Sequence, residues 1–160
     1  MRERLLHLLA KDSRLSVKDM AVMLDSTEEE IQKTLAEMEA DGVICGYPTL
    51  INWDNTEFEH VAALIEVKVS PERGRGFDKV AERIYQFEEV ESVYLMSGAF
   101  DLTVIVEGKT MKEVALFVGQ RLAVIDAVLS TATHFVLKKY KDHGTRINGE
   151  DDPDRRSMVL

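Results

Sequence analysis

The 160-residue chain is 45% hydrophobic and 31% charged, the balance of a folded globular protein, with length for one ordinary domain or two small ones. Its net charge of −9 excludes a general nucleic-acid coating protein, which would be basic, and its single cysteine, Cys45, excludes an intrachain disulfide or a cysteine-rich metal site. No apolar run reaches the roughly 18–20 residues that span a bilayer, and "MRERLLHLLAKDSRL" lacks a signal-peptide cleavage site, so a cytoplasmic protein without membrane contact is expected.

Residues 1–51 read as three helices and an extended wing. Leu5, Leu6, Leu8 and Leu9 give the first helix its apolar face, ending near Arg14. Ser16 is the expected N-cap of a second helix, with Val17, Met20, Ala21 and Leu24 inward. Asp25-Ser26-Thr27 breaks the pattern. Ile31, Leu35 and Met38, at i, i+4 and i+7, then line a third helix that Gly42 stops as its C′ residue. "VICGYPTLIN" reads as a short extended piece with a turn at Pro48. Two helices, a tight turn, a third helix and a wing describe a winged helix-turn-helix. Residues 52–60, "NWDNTEFEH", are polar and aperiodic and read as a linker.

Residues 61–141 alternate between strand and helix. "VAALIEVKV" is a strand, and "GFDKVAERIYQFEEV" is a helix with Phe77, Val80, Ala81, Ile84 and Phe87 on one face. "ESVYLMSG" and "DLTVIVEG" form a hairpin that turns at Gly98–Phe100. "TMKEVALFVGQRLAVID" is a helix with Thr110 as cap and Glu113 completing a capping box, and "VLSTATHFVLKKY" is the last strand. The order β-α-β-β-α-β is the ferredoxin-like split βαβ, so the fold class is α+β. Residues 142–160, polar and rich in Gly and Asp, read as a disordered tail.

The charge is uneven: residues 1–60 carry 13 acids against 6 bases, and residues 61–160 carry 16 against 14. From Thr27 to Asp41 the third helix holds six acids (Glu28, Glu29, Glu30, Glu37, Glu39, Asp41) and one base, Lys33. Acids in a first turn suit the helix macrodipole, and Ser26 or Thr27 would cap it. Against DNA the same three glutamates cost about 1–2 kcal/mol per domain in phosphate repulsion.

"SVKDMAVML", "EMEADGVICGY", "VYLMSGAFDLTVIVEG" and "STATHFVLKKYK", in that order, resemble the Lrp/AsnC (feast/famine) transcriptional regulators over roughly residues 1–141. The resemblance implies an amino-acid-responsive regulator, not an enzyme, and no cofactor. It implies DNA binding by the N-terminal domain and an effector held by the C-terminal domain. It also implies homodimers formed through the sheet domain and assembled further into tetramers or octamers. The family's Gly-x-aromatic-Asp hairpin signature stands here as Gly98-Ala99-Phe100-Asp101. Family members carry Arg or Lys on the solvent face of the third helix, where this chain has Gln32, Lys33, Thr34, Ala36 and Glu37. The candidate DNA contacts are Lys18, Ser26, Thr27, Gln32, Lys33 and Thr34, with Arg2, Arg4, Lys11 and Arg14 as further phosphate contacts. The alternative is a member with weakened or lost DNA binding, acting as a ligand-binding or partner-modulating oligomer.

The candidate effector site is Ser97, Gly98, Ala99, Phe100 and Asp101, joined by the hydroxyls of Thr131 and Thr133. Gly98 would let a carboxylate approach free backbone N–H groups while Asp101 pairs with an ammonium, a division suited to an amino-acid zwitterion. The competing reading is a hairpin glycine and ordinary strand threonines. Other constellations carry less. Arg73–Gly76, "RGRG", lacks the third glycine of a dinucleotide fingerprint. His7, His60, His134 and His143 lack metal-ligand spacing, and His134 reads as a strand histidine. Cys45 reads as a small hydrophobe, and "KKYK" at 138–141 as a charged strand edge. A haem-pathway decarboxylase on the same frame would need an Arg and His cluster that this acidic chain does not show.

Overall fold

A computed structural model describes residues 1–70 and 76–147. The chain divides into two compact units, Met1–Thr49 and Leu50–Leu160.

The first unit is helical: α1 (Arg2–Lys11), α2 (Val17–Leu24) and α3 (Glu28–Ala40). Leu5, Met20, Ala21, Leu24, Ile31 and Met38 form its buried core, with Leu6, Leu8, Leu9, Val17 and Leu35 packed against it. The heptad-like spacing in α3 therefore faces inward as its pattern requires. Ser16 caps α2 by accepting from the Asp19 N–H at 3.0 Å. Asp25 takes a left-handed conformation (φ 52°, ψ 54°), and Ser26 N–H donates to the Ala21 carbonyl at 3.0 Å, which turns the chain sharply into α3. Gly42 (φ 68°) ends α3, and Val43 N–H donates back to the Met38 carbonyl at 2.9 Å. Residues 43–52, read as the extended wing, form no strand of either sheet.

The second unit is built on a four-stranded antiparallel sheet in the order β2-β3-β1-β4, from β1 (Val61–Val69), β2 (Val90–Leu95), β3 (Leu102–Gly108) and β4 (Val128–Phe135). Helices α4 (Asp78–Tyr85) and α5 (Met111–Phe117) cover one face, giving the ferredoxin-like arrangement. Ala63, Ile65, Val67 and Val69 of β1 and Leu102, Val104 and Val106 of β3 point into that core, meeting Val80, Ile84, Val114 and Phe117. Alternate residues Leu64, Glu66, Lys68, Ile105 and Glu107 point to the other face of the sheet, away from α4 and α5, where Ala62 and Thr103 are also buried. Thr110 caps α5 by accepting from Glu113 N–H, while the Glu113 carboxylate accepts from Lys109 N–H at 2.7 Å. The helix expected to run on to Asp126 continues instead as a π turn (Val118–Leu122).

Three segments expected to be irregular or edge-like are arranged differently. In the linker, a 3₁₀ turn (Trp53–Asn55) stacks the Trp53 ring on His60 with centroids 5.3 Å apart, and Phe58 meets Trp53 edge-on. Lys138–Tyr140 lies beyond β4 rather than on its edge, and leads into a hairpin of β5 (Lys141–Asp142) and β6 (Thr145–Arg146). The expected tail therefore begins with a folded hairpin over residues 142–147. Residues 148–160 lie outside the described residues, as do Arg73 and Arg75 of the "RGRG" stretch.

Candidate functional site

The β2–β3 connection is the candidate effector loop. Leu95 pairs with Leu102, and Met96 N–H donates to the Asp101 carbonyl at 2.8 Å, leaving residues 97–100 as the loop. Gly98 sits at φ 144°, which strains any residue with a Cβ, and open space surrounds it. The N–H groups of Ser97, Gly98, Ala99 and Phe100 make no hydrogen bond to another described residue. Ser97, Gly98 and Ala99 are exposed and Phe100 is half-buried.

Asp101 has a task that the sequence pattern does not announce. Its N–H donates to the Val67 carbonyl at 3.0 Å, and its Oδ2 accepts from the Val69 N–H at 2.9 Å. The residue clasps the loop to the end of β1. One amide uses only part of a carboxylate's acceptor capacity, which extends over two oxygens.

Across β1 the register places Thr131 opposite Val67, which pairs with Leu102 on its other side. Thr131 and the loop thus share one end of the sheet, about 10 Å apart across two strand spacings. Thr133 pairs with Ile65 and lies about 7 Å further along the strand, away from the loop. The register sets Thr131 level with the end of β1 that Asp101 reaches, about 10 Å from the loop, and sets Thr133 further away. His134 faces the opposite side of the sheet with its Nε2 3.4 Å from Glu66. A cleft of about 470 Å³ lined by Glu59, Glu89, Glu107 and Glu113, and a water-sized cavity of about 50 Å³ beside Trp53, contain none of the candidate effector residues.

In the helical unit, the start of α3 is closed on itself. Thr27 Oγ1 accepts from Glu30 N–H at 3.2 Å, Ser26 Oγ donates to Glu30 Oε2 at 2.6 Å, and Thr34 Oγ1 donates back to the Glu30 carbonyl at 2.7 Å. Three candidate DNA contacts, Ser26, Thr27 and Thr34, are therefore committed to the helix itself, whereas Lys18, Gln32 and Lys33 are exposed. Glu28 and Glu29 are exposed in the first turn. Arg2 pairs with Asp41 at 2.7 Å, which subtracts one cation from the expected phosphate contacts. Beyond α3, Tyr47 Oη donates to Glu39 Oε1 at 2.7 Å; that bond, with burial and the Glu39 charge, raises the phenol above its ordinary pKa. Cys45, read as a small hydrophobe, is exposed, with its Sγ 3.4 Å from the Gly42 carbonyl. Among the described residues no group of His, Cys, Asp and Glu forms a metal site, and no helix is long and apolar enough to cross a membrane.

A three-helix unit with a left-handed turn before its third helix, followed by a ferredoxin-like unit with an open-ended hairpin loop, defines a helix-turn-helix regulator with a ligand-binding domain. The Lrp/AsnC ligand binding domain family matches residues 62–146. The HTH-type transcriptional regulator YugG of Bacillus subtilis (strain 168) is 46% identical over 156 residues, covering 97% of this chain and 93% of that one. The proline dehydrogenase transcriptional activator of Rhizobium radiobacter is 24% identical over 88% of this chain and 90% of its own. Among solved structures, the transcriptional regulator NMB0573/L-Met complex from Neisseria meningitidis superposes with a TM-score of 0.72 at 19% identity, covering 90% of this chain and 92% of that one. This chain belongs to the Lrp/AsnC family of transcriptional regulators, and its relatives are regulators rather than enzymes.

Proposed function

We propose that this protein is a cytoplasmic, amino-acid-responsive regulator that binds DNA through Met1–Thr49 and a small α-amino acid at the β2–β3 loop. The observation that carries the effector reading is the run of four loop N–H groups, Ser97 to Phe100, without acceptors among the described residues. Adjacent amides of this kind suit a carboxylate, and Asp101 beside them suits an ammonium. The like fold of the L-Met complex supports an amino acid as the ligand class. The loop is open surface in one chain, and a second copy set against it would close the site. The sheet face turned away from α4 and α5, with Leu64 and Ile105 half-buried on it, supports a homodimer that assembles further into a tetramer or octamer.

A second reading has its own observation: exposed Glu28 and Glu29 at the end of α3 that would enter the major groove favour a family member with weakened DNA affinity. Glu28→Gln/Glu29→Gln, which spares the Glu30 bond to Ser26, should tighten DNA binding roughly fivefold if the helix meets phosphate. Anisotropy of labelled genomic fragments, at low and physiological salt with and without pooled amino acids, tests the whole reading. Fragment-selective binding that shifts with the pool is expected. Failure to bind at low salt, with the oligomer intact, would overturn DNA regulation and leave the second reading.

A further inference from the structure

The β5–β6 hairpin concentrates positive charge in a chain that is otherwise acidic. Residues 138–146 contain Lys138, Lys139, Lys141 and Arg146 against one acid, Asp142, in a protein of net charge −9. Asp142 is already committed, with Oδ2 3.5 Å from Lys139 Nζ and Oδ1 2.9 Å from His143 Nδ1.

The register sets Lys141 directly opposite Arg146. Directly paired residues share one face of a two-stranded ribbon with Cβ atoms about 5 Å apart, and like charges there repel. Both side chains are exposed, and neither has an ion-pair partner among the described residues. The repulsion is thus built into the hairpin rather than relieved by its described neighbours.

The hairpin has a defined turn and an anchor. His143 (φ 43°) and Gly144 (φ 78°) form a two-residue turn with both residues at positive φ, the type that matches strand twist. Ile147 is buried, and its N–H donates to the Tyr140 carbonyl at 3.0 Å. Tyr140 is 73% exposed with Lys138 Nζ 5.0 Å above its ring. A ribbon presenting two adjacent cations without ion-pair partners among the described residues is complementary to a phosphate diester, which can sit between them and convert their repulsion into attraction.

We infer that the β5–β6 hairpin is a second DNA-contact surface, in which Lys141 and Arg146 clamp a backbone phosphate and Lys138 adds a nearby cation. It deepens the proposed function and rests on DNA binding by this chain. The contact is sequence-independent and offsets phosphate contacts that the acidic start of α3 forgoes.

The test is the salt dependence of binding by the full-length protein to a labelled duplex fragment. Lys141→Gln/Arg146→Gln should flatten the slope of log K against log salt by about 0.9 for each phosphate that a protomer no longer neutralises. Lys109→Gln/Lys112→Gln, which removes equal charge from exposed positions elsewhere in the same unit, should leave the slope unchanged. The exchange Lys141→Arg/Arg146→Lys should keep the wild-type slope, and the thermal midpoint of the glutamine variant should hold or rise as repulsion is removed. Equal slopes in the hairpin and control variants, while the wild type binds DNA, would overturn the inference and leave the proposed function standing. A change of oligomer size in the hairpin variant would overturn it too, by assigning the surface to contacts between copies. A wild type that binds no DNA at low salt would overturn both.

Discussion

The start of α3 and the β2–β3 loop are both short polar turns, yet they use their hydrogen-bonding groups in opposite ways. At α3 the hydroxyls of Ser26, Thr27 and Thr34 all close on Glu30, so the helix end is satisfied from within. At the loop, four successive N–H groups have no partner among the described residues, and the one strong acceptor, Asp101, is shared with β1. Satisfied polar groups stabilise a local structure; groups left open are available for a ligand. The contrast favours ligand chemistry in the sheet unit and structural economy in the helical one.

The largest effect comes from removing the core beneath α3. Ile31 is fully buried, and Ile31→Ala should cost about 2–5 kcal/mol. A unit as small as Met1–Thr49 has little margin for that loss. Calorimetry should show a low-temperature transition for the helical unit, with the sheet unit melting as in the wild type. A single unchanged transition would mean that Ile31 is not the keystone of that core.

Asp101→Ala strands the Val69 N–H and should lower stability by about 1–3 kcal/mol. Asp101→Asn retains an acceptor oxygen and should melt close to the wild type, yet lose any amino-acid-induced thermal shift. An undiminished shift in the Asn variant would remove the Asp101 charge from the effector site.

Smaller effects follow at α3. Thr27→Ala deletes the N-cap acceptor and should cost about 1 kcal/mol, read by urea denaturation monitored through helical circular dichroism. The smallest concerns Tyr47, whose pKa is raised above 10.0 chiefly by its bond to Glu39, so the stability it contributes is present below pH 10.0 and lost as pH rises through the raised value. Ultraviolet titration should show a late-ionising component that Tyr47→Phe abolishes.

Periodicity makes most of this fold legible. The 3.6-residue spacing of Ile31, Leu35 and Met38 and the alternation along Val61–Val69 each bury the expected face, because burial follows directly from which side chains share a face. The hairpin loop is readable from local chemistry as well, with Gly98 marking the turn. Tertiary hydrogen bonds are not. Nothing in the spacing of Asp101 announces that its carboxylate reaches the Val69 amide, because that contact depends on strand order rather than on neighbours in sequence. Polar segments mislead in one direction: residues 52–60 and 142–147 look structureless by composition, but rings and backbone bonds order them. The π turn after Phe117 likewise leaves no mark in an otherwise helical pattern.

The stacked ring that opens the sheet unit has a practical consequence. Trp53 is the chain's one tryptophan, so all indole emission originates in the linker segment. It lies face to face with the His60 imidazole, 5.3 Å from centroid to centroid, so its emission reports on that stack. The protein therefore carries an intrinsic optical probe just ahead of β1, and detachment of that turn from His60 will register as a change in brightness without any label.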